Sequence, residues 1–174
     1  MNRLPYMTDF FPKKCGSSNS TSSNTYRSSK MAVWSLDNPV FITYVFYSTV
    51  LAAKMILMGP LTGYFRITRK AFVNPEDVKS FGLKETKTDV DVERVRRAHQ
   101  NDLENIPIFW LLGLLFVLTS PSLFAAKVVF RVYTAARILH TLLYLKGSGI
   151  RGTAYFVGIL TKIYMVATIL YTFW

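Results

Sequence analysis

Cysteine is nearly absent from this chain. The one present, Cys15, excludes an intrachain disulfide and any cysteine-based metal site. No other metal site is expected, and a thiol in a tail is not expected to be catalytic. Acidic residues are scarce as well, with Asp plus Glu at 10 against Lys plus Arg at 21, a formal charge of +11. Such an excess suits nucleic acid, anionic lipid or an anionic small molecule. A nucleic-acid motif is lacking, and several basic residues lie inside or beside long apolar runs, so nucleic acid is not an expected partner. The first 30 residues have no apolar h-region of the kind a signal peptide needs.

Apolar residues are what the chain has in abundance. They make up 51% of 174 residues, and the mean hydropathy is +0.24. The length suits one domain. Residues 1–35 are expected to be a disordered, Ser-rich extension, since the run Gly16 to Ser29 is too small and polar to bury a core. The pattern changes at Met31, which reads as a possible second start. Asn19 opens a glycosylation sequon, usable only from the lumenal side.

Residues 36–174 predict four transmembrane helices in an up-down bundle, an all-α integral membrane fold. The first span runs from about Val40 to Phe65, with Asp37 or Asn38 as its cap, Pro39 at its first position and Pro60 as a possible kink. Residues 71–90 read as a polar loop. The second helix starts near Asp91 and becomes wholly apolar only from Ile106 to Leu118. The third runs from Leu123 to Leu145 behind a Ser122 cap, and the fourth from about Thr153 to Trp174.

The basic residues of the 1–2 and 3–4 loops put those loops in the cytosol and both termini in the lumen. Arg3, Lys13, Lys14, Arg27 and Lys30 in the tail pull against that orientation. Arg69, Lys70, Lys84 and Lys87 read as snorkelling cations. Lys54 and Lys127 are open between snorkelling and pairing inside the bundle.

The second helix carries the chemistry. At roughly 100° per residue, Glu93, Arg97, Gln100, Asn101 and Glu104 fall within roughly a 100° arc. Arg96 and Arg94 flank the arc, and His99 lies further round. Ionisable groups at membrane depth face a bundle interior or a wet cavity, and one set of four helices cannot wrap all of these. A subunit interface is therefore a candidate place for the cavity. The plainer alternative is a satisfied interhelical salt bridge. Asp102 faces away from the arc, toward a neighbouring helix. Several arginines and one or two carboxylates complement a zwitterion with excess negative charge. Glutathione, with two carboxylates, one ammonium and one thiol, fits, and fixed positive charge beside its sulfur would favour the nucleophilic thiolate.

The segment Val92 to Glu104, VERVRRAHQNDLE, resembles the E-R-x-x-R-A-H-x-N-x-x-E signature of the membrane-associated proteins in eicosanoid and glutathione metabolism, the MAPEG family. The resemblance extends through FRITRKAFVNPED (Phe65 to Asp77) and ARILHTLLYL (Ala136 to Leu145), and covers the chain from about Leu36 onward. It implies a homotrimer in the endoplasmic reticulum membrane, with the mitochondrial outer membrane as a further compartment. Glutathione would be the co-substrate, held between adjacent subunits on the cytosolic side. The implied reactions are conjugation to hydrophobic electrophiles and reduction of lipid hydroperoxides.

Matched by position, Arg66, Arg96, Arg97, His99, Asn101, Glu104, Arg137 and Tyr144 would bind glutathione, and Arg151 would be catalytic by stabilising the thiolate. Glu93 is expected to pair with a buried arginine. Transferases of the family carry a cysteine just after the segment matching Asn74 to Asp77, where modification raises activity; Val78 occupies that place. Prostaglandin-isomerising members have a serine after the arginine that opens the last helix; here it is Gly152. That isomerase and a non-catalytic membrane adaptor are the alternative readings.

Overall fold

The computed structural model describes residues 33–174. The Ser-rich tail, Cys15, the Asn19 sequon and Met31 lie outside the described residues. Four long helices and one short one make up the fold: α1 (Pro39–Arg69), α2 (Pro75–Ser80), α3 (Val90–Leu118), α4 (Leu123–Leu145) and α5 (Arg151–Phe173). The four long ones are each apolar and long enough to cross a membrane. Rising about 1.5 Å per residue, α4 and α5 extend about 35 Å, just over the thickness of a bilayer's hydrocarbon core.

Side-chain chemistry places the helix starts. Asn38 caps α1, its Oδ1 accepting from Val40 N at 3.0 Å and Phe41 N at 3.4 Å, with Pro39 at the first position. Asp89 caps α3 through the Asp91 and Val92 amides, and Ser122 caps α4 through Ala125 N. Three boundaries differ from expectation. Helix α1 continues through Pro60 to Arg69 and ends at Lys70 in the left-handed region (φ 49°). The 1–2 loop contains α2, nucleated by Pro75 after Asn74. Helix α5 starts at Arg151, two residues early. A proline interrupts only one intrahelical bond, and a lipid-facing helix has nothing else with which to satisfy its backbone, so α1 does not break.

Helices α3 and α4 pack against each other and each also packs on α1 and α5, which do not touch each other in any number. The core at the α3–α4 turn end is aromatic. Phe109 and Tyr133 stack with centroids 4.0 Å apart and planes 4° from parallel. Phe130 meets Tyr44, Phe109 and Phe116 edge-on. In lipid the association of helices rests on such packing and on interhelical hydrogen bonds rather than on water exclusion. The Tyr44 and Tyr133 hydroxyls supply two such bonds, to the Trp110 and Asn105 carbonyls, on either side of Pro107 in α3.

Gly113 is the close-approach point of α1 and α3. A Cβ there would lie 2.7 Å from Tyr44 Cε2. That ring cannot swing away freely, being buried and tied to Trp110 O. Gly113→Ala is therefore expected to destabilise the bundle by about 1–3 kcal/mol, read as a lower thermal midpoint in detergent. A midpoint equal to the wild type would show that the α1–α3 contact yields.

A buried polar layer crosses the middle of the bundle. Asp102 of α3 is fully buried and accepts from Lys54 of α1 and Arg137 of α4, both at 2.5 Å, and from Thr141 at 3.3 Å. Arg137 also donates to Asn101 Oδ1 at 2.8 Å. Lys162 of α5 donates to Asn105 Oδ1 at 2.7 Å. Lys54 thus pairs rather than snorkels, and Asp102 meets neighbouring helices as its position on the wheel implied.

Candidate functional site

An open cavity of about 540 Å³ lies between the C-terminal half of α1 and the N-terminal half of α3. Its polar wall is Arg66 from α1 and Glu93, Arg96, Arg97, His99 and Gln100 from α3; Gly59, Thr62 and Gly63 make the opposite floor. The glycines matter because side chains there would fill the space. Nothing stands within 4 Å of a Cβ built on Gly59 or Gly63, so the groove is kept wide by residue choice alone. Arg66 Nε is buried without a partner, a donor left for whatever occupies the cavity.

Four of the expected site residues, Arg66, Arg96, Arg97 and His99, are therefore brought together. Glu104 is on the outward face of α3, one turn beyond, and accepts from Gln100 Nε2 at 3.2 Å. Arg96, Arg97, Gln100 and Glu104 are all exposed in the single chain, in line with exposed Ile108 and Leu111 further along the helix. Glu93 pairs with Arg96 at 2.7 Å, and Arg96 is half-exposed. This corrects the expectation of a buried arginine partner: at i,i+3 on one helix the two meet without leaving its surface. Arg69 likewise does not simply snorkel but pairs with Asp91 at 2.8 Å.

The other expected residues form separate groups. Arg137 is 1% exposed and committed to Asp102 and Asn101, so it does not line the open cavity. Both bonds come from Nη2, and its Nε is buried without a partner. Tyr144 and Arg151 meet near the α4–α5 turn, with the guanidinium carbon 4.8 Å from the ring centroid. His140 packs on Tyr144 at 5.6 Å and on Tyr155 at 6.1 Å, and its Nδ1 has no partner. His140 and Tyr155 were not among the expected residues. The signal for them was spacing: His140 stands one turn before Tyr144, and Tyr155 one turn after Arg151. Tyr144 also packs on the Met58, Val95 and Ala98 cluster beneath the α1–α3 cavity, and Arg94 approaches the turn at Gly147. Val78, at the place of the family's reactive cysteine, is buried.

The geometry defines a class: a membrane-spanning helical bundle with a cationic, water-open cavity at the loop end and a stacked arginine on the next helix pair. The MAPEG family model matches residues 44–171, and the chain belongs to that family. It is 46% identical over 130 residues to microsomal glutathione S-transferase 1 of Sus scrofa, covering 71% of this chain and 84% of the relative. The protein of that name from Rattus norvegicus is 45% identical over the same shares. Prostaglandin E synthase of Homo sapiens is 38% identical over 111 residues, 63% of this chain and 73% of the synthase.

Proposed function

We propose that the chain is a membrane-bound glutathione transferase that joins the glutathione thiolate to hydrophobic electrophiles and reduces lipid hydroperoxides to alcohol and water, two glutathione molecules leaving as the disulfide. The observation that carries this reading is the convergence of Arg66, Arg96, Arg97 and His99 on one open cavity in a chain of this family. Fixed cations suit the two carboxylates of glutathione, and Glu104 suits its ammonium. In conjugation the thiol proton passes to solvent, the sulfur–carbon bond forms, and the leaving group departs with its electron pair. Arg151 is the catalytic residue, stabilising the thiolate before attack.

Assembly as a homotrimer completes the site. The α3 stripe of Arg96, Arg97, Gln100 and Glu104 is exposed in one chain, and such a stripe on a membrane helix calls for cover. A neighbouring copy would supply it and would bring its own Tyr144 and Arg151 group alongside. The loop end faces the cytosol of the endoplasmic reticulum membrane by the positive-inside rule, and the same orientation applies to copies in the mitochondrial outer membrane.

The deciding experiment is an assay of the purified full-length protein with glutathione and an activated aryl halide. Conjugate should appear with one thiol lost per turnover. Turnover of a prostaglandin endoperoxide without thiol loss, in a protein inert to the aryl halide, would establish the isomerase instead. Absence of glutathione binding would leave the adaptor reading. Within the leading reading, Glu104→Gln replaces a charge-assisted contact by a neutral one. It is expected to weaken glutathione binding by about 1 kcal/mol, roughly fivefold. Unchanged affinity by equilibrium dialysis would confine Glu104 to its bond with Gln100.

A further inference from the structure

At the end of the bundle opposite the cavity, the outer surface where α1 meets α4 carries two cations that the proposed chemistry does not use. Lys127 and Arg131 stand one turn apart on α4, and both are exposed. Neither forms an ion pair among the described residues. Arg131 nonetheless has a fixed orientation, its Nε donating to the Tyr47 hydroxyl of α1 at 2.8 Å. Tyr47 is itself held edge-on by Phe46 at 5.1 Å. Spending Nε on Tyr47 leaves the outer edge of the guanidinium free, the edge that takes two oxygens of a phosphate. Lys127 adds a second cation on the same face.

Their depth decides what can reach them. Arg131 is eight residues into α4, about 12 Å from the helix start. Helical side chains lean toward the N-terminus, so both cations point back to the headgroup layer on that side. Asp37 is the one side-chain carboxylate at this end among the described residues, and Ser35 Oγ already engages it. Apolar side chains frame the pair: Phe46, Val128 and Val132 are exposed. An apolar groove of about 320 Å³ runs beside them between α4 and α5, lined by Val128, Val132 and Tyr164 among others. Fixed positive charge reaching toward the headgroup layer, with an apolar groove beside it at the same depth, matches one occupant.

We propose that Lys127, Arg131 and Tyr47 bind the phosphate of an anionic phospholipid in the leaflet at the α3–α4 turn, with an acyl chain along α4. The test is native mass spectrometry of the full-length protein released from nanodiscs of mixed phosphatidylglycerol and phosphatidylcholine. The wild type should retain phosphatidylglycerol over phosphatidylcholine by roughly thirtyfold, the scale expected of two interfacial cations. Lys127→Gln with Arg131→Gln should abolish the preference and leave the aryl-halide conjugation rate unchanged. Tyr47→Phe keeps the packing ring and removes the hydroxyl, so it should lower the preference severalfold without touching either charge. Lys84→Gln with Lys87→Gln, at the opposite end, should leave it intact. A wild type without preference, or a preference surviving the α4 double variant, would reduce these residues to unselective snorkelling. A changed oligomeric mass in the double variant would make the patch a contact between copies. Either result overturns the proposal.

Discussion

Asp102→Asn will cost the protein about 3–5 kcal/mol of stability, the usual penalty for removing one member of a buried ion pair. The expectation rests on the imbalance of the central layer. Among the described residues Asp102 is the one carboxylate there, facing Lys54 and Arg137, with Lys162 held by the Asn105 amide. Asparagine fits the space but leaves the Arg137 guanidinium, 1% exposed, without a counter-charge. The consequence reaches the loop end, because Arg137 also holds Asn101. The expected readout is a large drop in thermal midpoint in detergent, together with a loss of folded yield. Lys54→Met should cost less, since Asp102 keeps Arg137 and Thr141. Combined with Asp102→Asn it should cost less than the sum of the two, because one of the stranded cations is gone. Strict additivity, or an Asp102→Asn midpoint within a degree of the wild type, would mean that water enters the layer and screens it.

What the sequence discloses here divides along a physical line. Local chemistry is legible. Ser122 followed by an apolar run sets α4 at Leu123–Leu145 as read, and Asn38-Pro39 sets the start of α1. The face of α3 is legible too, since a 100° rotation per residue separates Asp102 from Arg97 and Glu104 without knowledge of any partner. The rotation of one helix against another is not. The resemblance implies a binding role for Arg137, yet its helix turns it inward onto Asp102. Lys162 reads as a lone charge in an apolar span until Asn105 is placed opposite it. His140 and Tyr155 lie on different helices, and nothing along either predicts that they meet at 6.1 Å. The resemblance names residues such as Arg151 that the wheel does not, since it carries contacts that one chain's periodicity does not contain. It also leaves unsaid that the site residues divide into separate groups within one chain.

That division makes Arg151 the sharper test of the proposed chemistry. Arg151→Ala should lower turnover by roughly 10²–10³, the loss typical of removing a donor aimed at developing negative charge. Glutathione affinity should change only severalfold, since the proposal gives the carboxylate contacts to Arg66, Arg96 and Arg97, which line the α1–α3 cavity. Arg151 opens α5, a helix without a side-chain cap. The thiolate would therefore meet both the guanidinium and the positive end of the helix dipole. The Tyr144 ring, 4.8 Å from the guanidinium carbon, and a long bond from Nη1 to Ser148 O at 3.5 Å hold the guanidinium while leaving its other N–H groups available. Three variants separate charge from placement. Arg151→Lys keeps the charge but has no plane to stack, so turnover should fall to an intermediate value. Tyr144→Phe keeps the ring and should leave thiolate formation near the wild type. Tyr144→Leu removes the ring and should behave like Arg151→Lys, marking Tyr144 as a positioning residue. The direct measurement is stopped-flow ultraviolet absorbance of the enzyme-bound thiolate, with no electrophile present. Arg151→Ala should bind glutathione but develop little thiolate signal, and its turnover should recover as pH is raised and solvent takes the proton unaided. A thiolate signal of wild-type rate and amplitude in Arg151→Ala would take Arg151 out of the chemistry. The source of thiolate stabilisation would then be sought among the cavity arginines.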